Sequence, residues 1–205
     1  MSLRNTADEY GTVAKWLHWT IALLFVGAYC AVYYRQLFTE PKTTPNAIAF
    51  QIHLSCGMSV LALVVLRIVW RLINEQPRSE PGTRLAHLAA HWGHIALYAI
   101  MVLAPLTGYL GTGANVNFFF LFEIPSFKNT ALFESLVASR GLTFEEFEKP
   151  IDIVHKAILG EWVVWILVVG HALAALYHHV VLKDRTMLKM TTGGSRQSLD
   201  RAAPL

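Results

Sequence analysis

Charged residues are absent from four stretches of the chain, 16–34, 46–66, 85–122 and 162–182. A helix needs about 20 mostly apolar residues to cross the hydrocarbon core of a bilayer. The pattern therefore predicts four spanning helices, over about 13–35, 46–72, 88–111 and 152–182. The third stretch is longer than one span. Pro105, Gly108, Gly111 and Gly113 weaken helicity toward its end, so the helix is expected to stop near 111 and to give way to an extracytoplasmic loop over about 112–150. Residues 117–122 read as an aromatic loop within it. No internal repeat or second domain is visible, so 1–205 is expected to form one transmembrane domain.

Composition narrows the class. Of 205 residues, 54% are hydrophobic and 15% charged, against roughly 25% charged in soluble domains. That excludes an ordinary soluble domain and a disordered tail. Two cysteines, Cys30 and Cys56, exclude a disulfide-stapled scaffold, and a net charge of +3 is too small for a nucleic-acid binder. The first apolar run exceeds the roughly 7–15 residues of a signal-peptide core and no A-x-A site follows, so it is expected to remain as an anchor.

The charges that remain assign an orientation. Segments on the N-terminal side of the membrane carry eleven basic and six acidic residues, and those on the other side carry six basic and eight acidic. Short cytoplasmic loops are enriched in Lys and Arg, so both termini are expected in the cytoplasm.

Against this apolar background nine histidines stand out, because ionisable residues inside a membrane tend to mark function. His53 and His155 fall toward the outer side. His18, His87, His91, His94, His171, His178 and His179 fall toward the inner side. Histidines on different helices at each side suggest two cross-helix ligand pairs, the arrangement that holds haem iron from both faces in a helical bundle. No C-x-x-C-H occurs, so such haem would be non-covalent. Gly57, one turn after His53 on the same face, would let a flat macrocycle approach. Arg67 and Arg71, one turn apart at the inner end of the second span, suit either haem propionates or a positive-inside anchor. His87, His91 and His94 share one helical face, which also suits a metal site or a plain interfacial surface. Trp16, Trp19, Trp70, Trp92, Phe118 to Phe120 and Phe122 read as interfacial anchors.

Several motifs carry a family resemblance: Leu17-His18-Trp19, His53-Leu54-Ser55-Cys56-Gly57 leading to Arg67 and Arg71, and His91-x-x-His94 leading to Pro105-Leu106-Thr107-Gly108. They continue with Phe119-Phe120-Leu121-Phe122 and Pro125, and with His171-Ala172 followed by His178-His179 and Lys183-Asp184. In this order, from about Lys15 to Met190, the chain resembles the bacterial cytochrome b561 family. These four-span di-haem cytochromes look related to the cytochrome b subunits of membrane formate dehydrogenases and nickel–iron hydrogenases. The resemblance implies an all-α integral membrane four-helix bundle binding two haem b groups in the bacterial plasma (inner) membrane. It also implies axial ligation by His18 with His171 at the inner haem and by His53 with His155 at the outer one. The sidedness of the histidines agrees with the outer pair and leaves several candidates for the inner one.

One spacing departs from the family pattern, which sets its two fourth-span histidines fourteen residues apart. His155 and His171 are sixteen apart, about 160° from one another on a regular helix. A bulge near Gly160, a His155 that precedes the regular helix, or a different outer site would each account for this.

The leading expectation is a di-haem cytochrome that moves electrons across the membrane. The resemblance implies a quinone, ubiquinone or menaquinone, at one end, as an electron carrier or quinone-linked oxidoreductase. His91 and His94 would be candidate proton carriers. Superoxide as donor ranks below generic electron transfer, because the outer segments sum to a net −2 and an anion is captured best by a positive surface. Two other classes stay open: a cytochrome b membrane-anchor subunit that passes electrons from a soluble redox partner within a larger dehydrogenase or hydrogenase complex, and a haem-free histidine-rich metal transporter. Membrane lipid is the one certain surround, and a homo-oligomer stays open.

Overall fold

The computed structural model describes residues 2–191; Arg196, Asp200 and Arg201, counted above, lie outside the described residues. Among those described, four helices are long and apolar enough to cross a membrane. Three of them are α1 (Thr12–Phe38), α2 (Thr44–Ile73) and α3 (Arg84–Gly111). The fourth is the continuous helical stretch Phe144–Leu182. Only 6% of the most apolar window of α3 is buried within the protein, so these helices turn most of their apolar surface outward, as lipid-solvated helices do and helices of a soluble core do not.

The fourth stretch is not uniformly wound. It begins as α5 (Phe144–Asp152), passes through π-helical turns over Ile153–Val163, continues as α6 (Val164–Tyr177) and ends in a second π-helical stretch, His178–Leu182. Thr143 starts it with a capping box: its Oγ1 accepts from Glu146 N, and Glu146 Oε2 accepts from Thr143 N. It thus begins earlier than the apolar pattern predicts, and so does α3, whose first turn is capped by Thr83 Oγ1 accepting from Ala86 N at 3.2 Å.

The residues read as an aromatic loop form a hairpin instead. Strands β1 (Val116–Phe118) and β2 (Phe122–Ile124) pair antiparallel, with Phe118 opposite Phe122. The segment between this hairpin and α5 holds the short helix α4 (Ala131–Leu136) and a small core of Phe127, Phe133 and Val137 packed against Tyr109, Phe144 and Phe147.

The chain forms two compact units, and α1, α2, α3 and the fourth helical stretch each contribute to both. The first unit comprises Met1–Trp19, Leu66–Leu97 and Ile166–Leu205. Its N-terminal segment doubles back on α1, with Thr12 N donating to Ser2 O at 2.9 Å and Arg78 N to Ala7 O at 2.9 Å. A Cβ at Gly11 would stand 2.4 Å from Leu3 O, so only glycine permits that return. Lys189 on α7 (Thr186–Met190) is buried; it pairs with Glu80 at 2.5 Å and donates to Arg78 O at 2.6 Å, which ties the α2–α3 connection to α7. The second unit comprises Thr20–Val65 and Tyr98–Trp165. There Arg35 Nε donates to Asn46 Oδ1 at 3.1 Å and joins α1 to α2, and Tyr29 OH donates to Gly160 O at 2.9 Å within the π-helical turns. Among the described residues, every basic and acidic residue assigned to the N-terminal side belongs to the first unit, and every one assigned to the opposite side belongs to the second.

Candidate functional site

In the second unit the helices bring His53 and His155 together. Their ring centroids lie 6.2 Å apart with planes at 69°. His53 Nδ1 donates to Ala28 O at 2.9 Å, and His155 Nδ1 donates to Ala104 O at 2.9 Å, with Thr107 Oγ1 at 3.3 Å. Both acceptors are main-chain carbonyls, so each ring carries its proton on Nδ1 and keeps a lone pair on Nε2. A histidine that binds metal through one nitrogen and donates from the other to a carbonyl is the usual ligand arrangement. Two imidazoles bound to one metal atom from opposite sides, at about 2 Å each, would hold their centroids roughly 6 Å apart. The pair fits an axial ligand set.

π-helical winding removes the objection to His155. Hydrogen bonds from i to i+5 turn the chain roughly 15–20° less per residue than α-helix does. The eight steps from His155 to Val163 lie in this region, and together they take back roughly 145° of the 160° expected for sixteen regular steps. The bulge expected near Gly160 is thus the whole stretch Ile153–Val163. Its pattern is not readable from residue types.

Two glycines line this unit's site differently. A Cβ at Gly57 would meet only Pro105 Cβ at 3.9 Å, so no protein neighbour requires glycine there and the open space beside it suits a flat group. A Cβ at Gly108 would stand 2.8 Å from His155 Cε1. Gly108 is what admits the His155 ring against α3. The sequence reading missed it as a site residue, although it closes the Pro105-Leu106-Thr107-Gly108 motif.

In the first unit His171 lies between two other rings. Its centroid is 6.1 Å from that of His18, with planes at 66°, and 5.6 Å from that of His94, with planes at 77°. His94 Nδ1 donates to Ala90 O at 2.7 Å. His18 differs: Arg67 Nη1 lies 2.9 Å from its Nδ1. A guanidinium only donates, so here Nδ1 accepts and a neutral ring carries its proton on Nε2. Binding iron through His18 Nε2 requires that proton to leave and Arg67 to turn away from Nδ1. Arg71 is exposed one turn further along α2.

The three-histidine face of α3 does not converge. His87 Nε2 donates to Glu80 O at 3.0 Å, His91 packs edge-on to Trp92, and His94 lies against His171. Among the described residues no group of three or more His, Cys, Asp or Glu side chains is arranged to hold a metal ion.

A further cluster follows the fourth helix. Lys183, at φ 52°, turns the chain back, so that His178 Nδ1 hydrogen-bonds Asp184 Oδ2 while Thr186 N donates to Asp184 Oδ1 at 2.8 Å. Burial pushes the Asp184 carboxyl up, but the hydrogen bonds from His178 and Thr186 outweigh it and hold the carboxyl below the usual range. The sequence places His178 toward the inner side without pairing it with Asp184, because nothing in the spacing signals a left-handed turn at a lysine.

The sequence profile of the family described as prokaryotic cytochrome b561 matches residues 9–193. Cytochrome b561 homolog 2 of Escherichia coli (strain K12) is 26% identical over 197 residues, covering 93% of this chain and 95% of the relative. A Yersinia pestis protein named probable superoxide oxidase CybB is 28% identical over 188 residues, covering 89% and 95%. Cytochrome b561 homolog 1 of E. coli (strain K12) is 28% identical over 191 residues, covering 89% and 97%.

Proposed function

The chain belongs to the prokaryotic cytochrome b561 family, electron-transfer membrane cytochromes with b-type haem, and from that premise we propose that it holds two haems and exchanges their electrons with a quinone. His53 and His155 are the axial ligands of one haem, and His18 and His171 those of the other. The observation that carries the reading is the pair of ring separations, 6.2 and 6.1 Å, each matching what two imidazoles on one iron require. A b-type haem ligated on both faces supplies a reversible one-electron couple with no open iron position.

The protein's own contribution is positioning and charge. Ala28 O and Ala104 O orient the His53 and His155 rings, Gly57 leaves room for a macrocycle, and Arg67 with Arg71 offers positive charge for propionates. The excess of basic over acidic residues on the N-terminal side supports cytoplasmic termini, and the family's bacterial membrane cytochromes support a place in the inner membrane. Quinone reduction also takes up protons, and His91 and His94 on α3 are the candidate carriers for them.

The test is single replacement of His18, His53, His155 and His171 by alanine, with haem counted per chain by pyridine haemochrome. About two haems per chain are expected in the parent protein, and about one in each variant. His94→Ala serves as the control that keeps both. Loss of haem from that control with full retention in His18→Ala would move the ligand role to His94.

Superoxide as the electron donor is the second reading, favoured by the name of the Yersinia relative. It is expected to show as haem reduction by superoxide at a rate that falls steeply with salt. A rate indifferent to salt would remove the electrostatic case for it.

A further inference from the structure

The hairpin of the second unit has a tip that neither its own packing nor the histidine pair explains. Phe119 and Phe120 adopt φ 44° and 63°, a left-handed conformation that is strained for a residue with a side chain. The strained turn presents Phe120, Leu121 and Phe122 at 52%, 79% and 56% exposure. In water such a tip would be unfavourable twice over, in backbone strain and in bare apolar surface.

Its attachment to α2 shows how deep it lies. Gln51 Nε2 donates to Asn115 O at 3.1 Å, and Gln51 Oε1 accepts from Asn117 N at 2.8 Å. One helical turn further on, Ser55 Oγ accepts from Phe119 N at 2.9 Å. The strands therefore run along α2 with the tip leading away from Asn46, the residue bonded to Arg35 where the uncharged part of α2 begins. At 1.5 Å per residue Ser55 lies roughly 13 Å inside that edge, close to half of a hydrocarbon core about 30 Å thick.

Non-helical backbone at such a depth needs partners for its polar groups, and four amides of this hairpin, those of Asn117, Phe119, Phe120 and Leu121, have them. Besides the bonds to Gln51 and Ser55, Phe120 N donates to Asn117 O at 3.2 Å and Leu121 N to Phe118 O at 2.9 Å, while Phe118 and Phe122 face each other across the ladder. Polar side chains stay at the base, where Glu123 Oε1 accepts from Asn115 Nδ2 at 3.0 Å. Gln51 and Ser55 lie about 160–200° around α2 from His53, so the hairpin backs the helix without entering the His53–His155 site.

We propose that this hairpin is a re-entrant element whose tip, Phe120-Leu121-Phe122, lies among the acyl chains of the bilayer beside α2. Its partner is lipid hydrocarbon, and the apolar tip offsets its backbone strain by leaving water. The proposal rests on the spanning helices and is independent of haem ligation.

Nitroxide accessibility tests it in the full chain. With Cys30→Ala and Cys56→Ala as background, Leu121→Cys is spin-labelled and the protein reconstituted in phosphatidylcholine–phosphatidylglycerol vesicles, with helicity checked by circular dichroism. Collisions with dissolved oxygen, which partitions into hydrocarbon, are expected at position 121, and collisions with a water-soluble nickel chelate are expected to be lost. At Ser139→Cys, an exposed loop position, the chelate should collide freely. Chelate access at 121 equal to that at 139 would overturn the proposal in favour of an aqueous docking tip. Shielding from both reagents would overturn it in favour of a protein partner such as a second copy. Phe120→Cys, read in the same way, replaces Leu121→Cys if that variant loses helicity.

Discussion

The two units hold their imidazole pairs at nearly the same separation by opposite means. In the unit of His53 and His155, both Nδ1 atoms face main-chain carbonyls, Ala28 O and Ala104 O. Helix backbone cannot swing aside, so the tautomer and the ring direction are set before any ligand arrives. In the unit of His18 and His171, the Nδ1 of His18 faces a guanidinium on a long side chain, and a third ring, His94, stands at 5.6 Å from His171. A guanidinium on a flexible side chain can swing aside, as helix backbone cannot. The first arrangement is preset and the second is adjustable.

The largest effect that would break this contrast is expected from Gly108→Ala. Its new Cβ would fall 2.8 Å from His155 Cε1, so the ring must move. Loss of one haem per chain is expected, with a destabilisation of about 1–3 kcal/mol in thermal unfolding. Gly57→Ala, whose Cβ would meet Pro105 at 3.9 Å, should leave folding intact while weakening haem retention. If Gly108→Ala kept both haems with unchanged spectra, the second unit would not be preset.

A smaller effect is expected from Arg67→Gln. Removing a positive charge beside His18 favours oxidised iron, so a potentiometric titration should show one midpoint lowered by about 30–60 mV, where 59 mV is tenfold for one electron. The other midpoint should not move. Equal shifts in both would mean that Arg67 is not confined to the adjustable site.

The smallest concerns Asp184→Asn. Because the folded carboxyl is held below its unfolded value by His178 and Thr186, its stabilisation is complete above the ordinary carboxylate range and is lost as pH falls through the lowered value. The parent should melt above the variant at pH 7, and the two should converge once the pH has fallen through that lowered value. A gap that persists in acid would mean that shape, not charge, holds the turn at Lys183.

Parts of this arrangement were legible in the sequence because they depend on local composition. Missing charge marks a span whatever surrounds it, and the side of each histidine follows from counting along the run. His53 and His155 could be paired because they were the two histidines assigned to their side. The choice among His18, His94 and His171 could not be made that way, since all three share a side and only packing sets which rings meet. Gly108 and Gly57 look alike as letters, yet one is crowded by an imidazole and the other faces open space.

By itself, the sequence determined that four segments solvate themselves in lipid and that imidazoles gather at two levels along them. Both follow from the cost of placing charge in hydrocarbon, which each residue incurs independently of its neighbours. Tertiary structure decided the rest. The π-helical winding over Ile153–Val163, the return of Asp184 to His178 and the seating of the hairpin on Gln51 and Ser55 all depend on partners distant in the chain or on backbone angles that residue types do not announce. Small deviations in winding accumulate along a helix, so two extra residues between histidines could be judged only once the path between them was known.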